Sequence, residues 1–303
     1  MSKYDIAFIG HMCRDEIVDA QGKTSIAIGS AVLCGAMAAV KCGKKVAAIV
    51  KMDPKDAPCI SILRENGIDI HVIPAKETSY MRVEHPSTNL DERRMTLIHN
   101  AGRILPDELP AFSADRIHLA GISDQEFSLD LIQHIRKVFP SCTLLSADMQ
   151  SFVRRMDPAT HRISFSMPEQ PETIIRSLDC VKLDNVEALI LTGEQDLTKA
   201  ACIVAGWGCR ELIVTSAERA VCFANGNLYS GGYCNKNSSG RTGRGDTLFG
   251  AYLSARLNQE PESAFHFALA LVSIKMETPG PFKSTLDQVH SRMSEISITR
   301  VCG

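Results

Sequence analysis

Ser238-Ser-Gly-Arg-Thr-Gly-Arg-Gly-Asp246 runs straight into Thr247-Leu-Phe-Gly-Ala-Tyr-Leu-Ser-Ala-Arg-Leu257. The second stretch has helical spacing at Leu248, Phe249, Tyr252, Leu253 and Leu257. A glycine-rich loop therefore enters a helix N-terminus. Unpaired backbone N–H groups and the positive end of the helix dipole favour an anion there. Glycines let the backbone approach a ligand closely. Arg241 and Arg244 can add charge-assisted bonds to a phosphate. Asp246 at the helix entry can cap the helix, or it can take a proton from an attacking group. The residues alone leave both readings open.

Outward from this stretch, short apolar runs alternate with longer amphipathic segments. Strands are expected at 6–9, 46–50, 68–73, 116–120, 143–147, 180–183 and 211–215. Helices are expected at 30–41, 57–66, 128–138, 186–191 and 198–207, with stops at Gly43, Gly67 and Gly193. The alternation implies βαβ units: an α/β fold with a mostly parallel sheet and helices on both faces. Ligands of such sheets sit beyond the carboxyl ends of the strands. Residues 78–102 break the rhythm. Two short strands, 80–84 and 94–98, joined by a polar turn at 86–91, read as a projecting hairpin and candidate lid. An ordinary surface excursion fits the same composition.

The 303 residues are read as one domain, 1–303. The apolar share of 45 % allows a large core, and a net charge of −2 gives no pull towards nucleic acid or anionic membrane. Eleven scattered cysteines with no C-x-x-C pair read as reduced, mostly buried residues. The first apolar run is too short for a signal peptide, and no run is long enough to span a bilayer. A cytoplasmic location is expected. Gly22-Lys-Thr24 lacks the upstream glycine of a P-loop, which would fall at Ile17. G-x-G-x-x-G, G-x-S-x-G and H-E-x-x-H are absent.

Gly243-Arg-Gly-Asp246, with Phe249 after it, resembles the C-terminal motif of the ribokinase-like (PfkB) carbohydrate kinases, Asp-Thr-x-Gly-Ala-Gly-Asp. Similarity extends along nearly the whole chain. Tyr4 to Asp15 resembles the family's first strand and its substrate-contacting Asp. Ile28-Gly-Ser-Ala-Val-Leu-Cys34 resembles its Gly-Gly-helix segment. Val181-Lys-Leu-Asp184-Asn-Val-Glu187 resembles Lys-x-Asn-x-x-Glu, and the stretch from Glu211 to Ala220 resembles the nucleotide-side strand and turn.

The resemblance implies a three-layer α/β/α sandwich with a small β lid, formed mainly by 78–102 with 12–27 as a further part. It implies transfer of the ATP γ-phosphate to a hydroxyl of a sugar or related polyol, with Mg²⁺. Asp246 would be the base, and Gly243, Arg244 and Gly245 the anion hole. Asp15, Gly29, Ser30, Cys34 and Arg94 would face the substrate. Asp184, Thr215, Ala217, Glu218 and Arg241 would line the nucleotide side. Glu187 would act on Mg²⁺ through water. A nucleoside kinase of the same fold and a binding module without catalysis are the other readings. A homodimer through the lid is a further possibility of the fold.

Departures from the family pattern are specific. Gly240-Arg241 stands for Asp-Thr, which puts use of a monovalent cation in doubt. Arg244 stands for Ala, Asp184 for Asn, Ser30 for Gly, and Cys34 for an Asn that contacts sugar. Ala217 and Ala220 stand for glycines of the nucleotide turn.

Overall fold

The computed structural model describes residues 3–87 and 93–301. β1 (Lys3–His11) leads to a hairpin, β2 (Cys13–Val18) and β3 (Thr24–Gly29), and then to α1 (Ala31–Lys41). β4 (Val46–Met52), α2 (Ser61–Glu65) and β5 (Asp69–Pro74) follow. A second hairpin pairs β6 (Ser79–Glu84) with β7 (Arg94–His99). Next come β8 (Ser113–Leu119), α3 (Leu129–Val138), β9 (Leu144–Asp148), α4 (Gln150–Val153), β10 (Arg154–Met156), β11 (Arg162–Phe165) and α5 (Pro171–Arg176). β12 (Cys180–Asp184), α6 (Asn185–Thr192), α7 (Leu197–Gly206), β13 (Glu211–Thr215), β14 (Arg219–Ala224) and β15 (Asn227–Gly232) continue the chain. It closes with α8 (Arg244–Ala255), α9 (Pro261–Lys275), α10 (Leu286–Met293) and β16 (Ile298–Val301).

The main sheet has the order β16-β15-β14-β13-β12-β9-β8-β1-β4-β5. Its strands from β13 to β5 are parallel, and β14, β15 and β16 are antiparallel additions. Side chains alternate across it. Ile6 and Phe8 of β1 join the core under α1, α8 and α9, while Ala7 and Ile9 join the core under α3, α6 and α7. Helices thus cover both faces, as the alternation of runs required. A Cβ on Gly250 of α8 would lie 2.6 Å from the Gly35 carbonyl of α1. The two helices that carry the middle of the site therefore touch backbone to backbone.

The lid is a second sheet of order β10-β11-β7-β6-β2-β3. Its inner face buries Cys13, Met81, Met95 and Leu97. Its outer face carries Arg82, bonded to Glu16 at 3.0 Å, beside the exposed Ile26 and Ile28 of β3. Both expected lid parts are in it, joined by β10 and β11, which the sequence reading left out. The turn expected at 86–91 falls, from residue 88 on, outside the described residues. A buried polar cluster roots the lid. His11 Nδ1 lies 2.8 Å from Ser79 Oγ, and its Nε2 lies 2.8 Å from the Gly102 carbonyl. Glu126 accepts from the backbone N–H of His11 at 2.9 Å and of Ser123 at 3.2 Å.

One expected helix is corrected. Residues 57–66 are a 3-10 segment (Pro54–Ile60) followed by the short α2. Pro58 has no N–H for the i→i−4 ladder and interrupts it. Among the described residues, no helix is long and apolar enough to cross a membrane.

Candidate active site

α8 starts at Arg244 with Gly243 as its N-cap, at φ 77°. That left-handed backbone suits glycine, and a Cβ there would also lie 2.4 Å from Cys34 Sγ. Arg244, Gly245 and Asp246 are the first three residues of the helix. Asp246 makes no side-chain cap. Its Oδ1 instead meets Lys182 Nζ at 3.2 Å, with the carboxylate partly exposed. Of the two roles left open by the residues, the geometry discards the cap and leaves a reachable carboxylate beside free helix N–H groups.

Lys182 is the residue the sequence reading missed. It points from β12 to a position under Gly245, where an added Cβ would lie 3.2 Å from its Nζ. It sits between Asp246 and the fully buried Asp148, whose Oδ1 is 3.4 Å away. His118 Nε2 approaches the other Asp148 oxygen at 3.6 Å. Burial opposes both charges, but Asp148 and Asp246 together raise the Lys182 value. Burial likewise opposes the Asp148 charge, yet Lys182 and His118 hold it below the usual carboxylate range. A lysine inside the apolar run Cys-Val-Lys-Leu was the readable signal, since an unpaired ammonium does not stay in a buried strand.

Asp15 reaches the same cleft from the lid. A Cβ on Gly29 would lie 1.8 Å from Asp15 Oδ2, so glycine makes room for the carboxylate. Burial pushes the Asp15 carboxyl up to about 6; Cys13 opposes this, and the Asp246 charge adds to it. Ser30 N-caps α1, its Oγ accepting from Leu33 N–H at 3.0 Å. Its φ of 148° is strained for a residue with a side chain, and matches the glycine it replaces in the family pattern. Cys34 lies one turn on, against Gly243, and burial pushes its thiol up to about 12. In this arrangement Ser30 caps and Cys34 supports the loop. Arg94, expected on the substrate side, is corrected: it is exposed beside Glu84, on the lid face that alternation turns away from Asp15. Its neighbour Arg93 faces inward.

Asp184 and Glu187 form a capping box at α6. Asp184 Oδ1 accepts from Glu187 N–H at 2.8 Å, and Glu187 Oε2 from Asp184 N–H at 2.8 Å. Their other oxygens face two lid arginines. Arg93 Nη2 is 3.4 Å from Asp184, and Arg154 Nη2 is 3.4 Å from Glu187. Glu187 is fully buried, and burial followed by the Asp184 charge pushes its carboxyl up to about 7. Arg154 covers the oxygen expected to work on Mg²⁺. Asp184 is the more exposed carboxylate and a hard oxygen donor, so a hydrated Mg²⁺ fits against it rather than against Glu187.

The far wall is the turn between β13 and β14. Thr215 is buried and its Oγ1 donates to the Leu183 carbonyl at 3.3 Å. Glu218 is exposed in the turn, and Arg241 lies on the loop before α8. Arg244 crosses the gap between loop and turn. Its Nη1 donates to the Ala217 carbonyl at 3.3 Å, and its guanidinium lies 5.5 Å from the Tyr233 ring centre. Burial pushes the Tyr233 hydroxyl up to about 12.

A family model described as pfkB family carbohydrate kinase matches residues 3–287. A cytidine kinase of Thermococcus kodakarensis is 24 % identical over 231 residues, covering 74 % of this chain and 77 % of the relative. The fold superposes on a sulfate complex of a pyrophosphate-dependent kinase in the ribokinase family with a TM-score of 0.86 at 31 % identity, over 94 % of this chain and 99 % of that one. A pyrophosphate-dependent kinase of that family complexed with a pyrophosphate analog and myo-inositol gives 0.85 at 29 % identity, over the same shares.

Proposed function

The chain belongs to the pfkB family of carbohydrate kinases, a phosphotransferase acting on a hydroxyl, and on that footing we propose that it phosphorylates a small cyclic polyol held between Asp15 and Asp246, with pyrophosphate as the donor. The observation that carries the donor assignment is Arg244. Its guanidinium spans from the helix entry to the Ala217 carbonyl and packs over Tyr233. The sequence pointed to ATP, whose base and ribose need room along that wall. A guanidinium across it suits a short, dense anion better. The pyrophosphate-dependent relatives at 29 % and 31 % identity support the same reading.

Asp15 accepts hydrogen bonds from acceptor hydroxyls. Lys182 fixes Asp246 Oδ1, leaving Oδ2 for the hydroxyl that reacts. The proton of that hydroxyl passes to Asp246, its oxygen bonds to the near phosphorus, and the bridging P–O bond breaks, its electron pair leaving with phosphate. The backbone N–H groups of Gly243 and Gly245 and the guanidinium of Arg244 take up charge on the transferring group. When bound, Mg²⁺ neutralises donor charge, and Asp184 is the residue that would hold it. The edge strand β3 offers its free side to a second copy of the chain, consistent with a lid-to-lid dimer.

The test is ³¹P NMR of phosphate transfer from pyrophosphate and from ATP to myo-inositol, ribose and cytidine. Pyrophosphate with a polyol is the expected pair. In Asp246→Asn, turnover should fall by roughly two to four orders of magnitude while donor affinity stays nearly constant. Faster turnover with ATP for every acceptor overturns the donor assignment. Phosphorylation of cytidine alone makes the acceptor a nucleoside.

A further inference from the structure

Lys275 is the last residue of α9 and is 1 % exposed. Its ammonium donates to the Gly240 carbonyl at 2.5 Å and to the Thr242 carbonyl. The same loop is laced to the end of α9 by two further bonds. Gly240 N–H donates to Met276 O at 2.8 Å, and Ser239 Oγ donates to Glu277 O at 2.8 Å. An added Cβ on Gly243 would lie 3.8 Å from the ammonium, so the charge sits directly behind the entry to α8. Backbone carbonyls converging on a buried single positive charge are the donor set that binds an alkali cation.

We propose that the Lys275 ammonium is a built-in monovalent cation that holds the Gly240 and Thr242 carbonyls inward and thereby aims the Gly243 N–H, at the entry to α8, at the transferring phosphoryl group, so that turnover needs no potassium. Lys275 is a positioning residue. The inference rests on reading 243–245 as the anion hole. Tethering the charge to α9 makes loop order independent of the salt around the protein. With the Thr242 carbonyl turned towards Lys275, the Gly243 N–H of the same peptide unit faces the opposite way, into the cleft, because a trans peptide carries its N–H and C=O on opposite sides. Burial lowers the Lys275 value, and the Asp246 charge opposes that shift.

Lys275→Ala removes the ammonium nitrogen and three side-chain carbons, leaving room for an ion of potassium's size. Wild-type turnover and melting temperature should be the same in potassium, ammonium and tetramethylammonium chloride. Lys275→Ala should lose about 100-fold in kcat in tetramethylammonium chloride, with little change in acceptor KM. Potassium or ammonium should restore most of that loss and raise the variant's melting temperature. Lys275→Met fills the space without charge and should lose kcat with no recovery. Potassium dependence of the wild type overturns the proposal. So does a folded Lys275→Ala that gains neither turnover nor melting temperature from any cation. If Lys275→Ala does not fold in any salt, full kcat in Lys275→Met overturns it. The melting-temperature arm needs no substrate, so an error in the donor or acceptor leaves it readable.

Discussion

Asp15, on lid strand β2, faces the cleft that Asp246 enters from α8, and its titration is displaced. Its carboxyl stands at about 6 in the folded protein against an ordinary 3.8. The folded state keeps a proton there that the unfolded chain has already released. This residue therefore favours folding most below the unfolded value, and the contribution is lost as pH rises through about 6. Asp15→Asn should raise the melting temperature at pH 8 by roughly 2–4 °C and by much less at pH 4. Acceptor KM in the wild type should climb as pH falls below about 6. An equal change in melting temperature at both pH values removes Asp15 from this role. At this scale the sequence was legible where glycines and charge share a helix entry, which is why Asp246 and its loop were found. Asp15 was visible only through resemblance, because an acid after a strand looks like any turn residue. Arg94 was read in place of Arg93 because strand register decides the inward face, and a one-residue shift reverses it.

At the scale of elements, α1 and α8 are placed by small residues. A Cβ on Gly250 would meet the Gly35 carbonyl oxygen at 2.6 Å and its Cα at 2.7 Å, and backbone cannot swing aside. Gly250→Ala should destabilise by about 1–3 kcal/mol in chemical denaturation and lower kcat, since α8 carries Asp246. Gly206→Ala in α7 is the control: nothing lies within 4 Å of the added carbon, so a neutral or slightly stabilising change is expected there. Equal effects of the two would refute the packing account. The parallel βαβ part was legible because apolar runs and helix stops alternate. The β14–β15 hairpin was missed although Asn225-Gly226 carries the signal, with both residues at positive φ of 52° and 75°. Helix α9 was missed because it is apolar nearly all round, buried between α8 and its neighbours, and shows no amphipathic period.

On the scale of the molecule, the lid ends in an exposed edge. β3 is solvent-facing along most of its length, with Ile26 66 % and Ile28 41 % exposed. A free strand edge bearing isoleucines invites pairing, and we expect a second copy of the chain there. Light scattering should give twice the chain mass for the wild type and a monomer for Ile26→Lys. A monomeric wild type sinks this expectation. The lid's full extent was not legible, because β10 and β11 are short strands that pair with each other and join the lid only through β7, far earlier in the chain.

The two arginine contacts at Asp184 and Glu187 give the cleft an electrical latch. Arg93 and Arg154 belong to the lid side, while Asp184 ends β12 of the main sheet and Glu187 lies on α6. An arriving anion draws on the arginines, and an arriving cation draws on Asp184. Either one competes with a pair that ties the lid to the main domain. The charges of what enters thereby bear on how firmly the lid is tied down, and salt that screens the Arg93–Asp184 pair weakens the same tie.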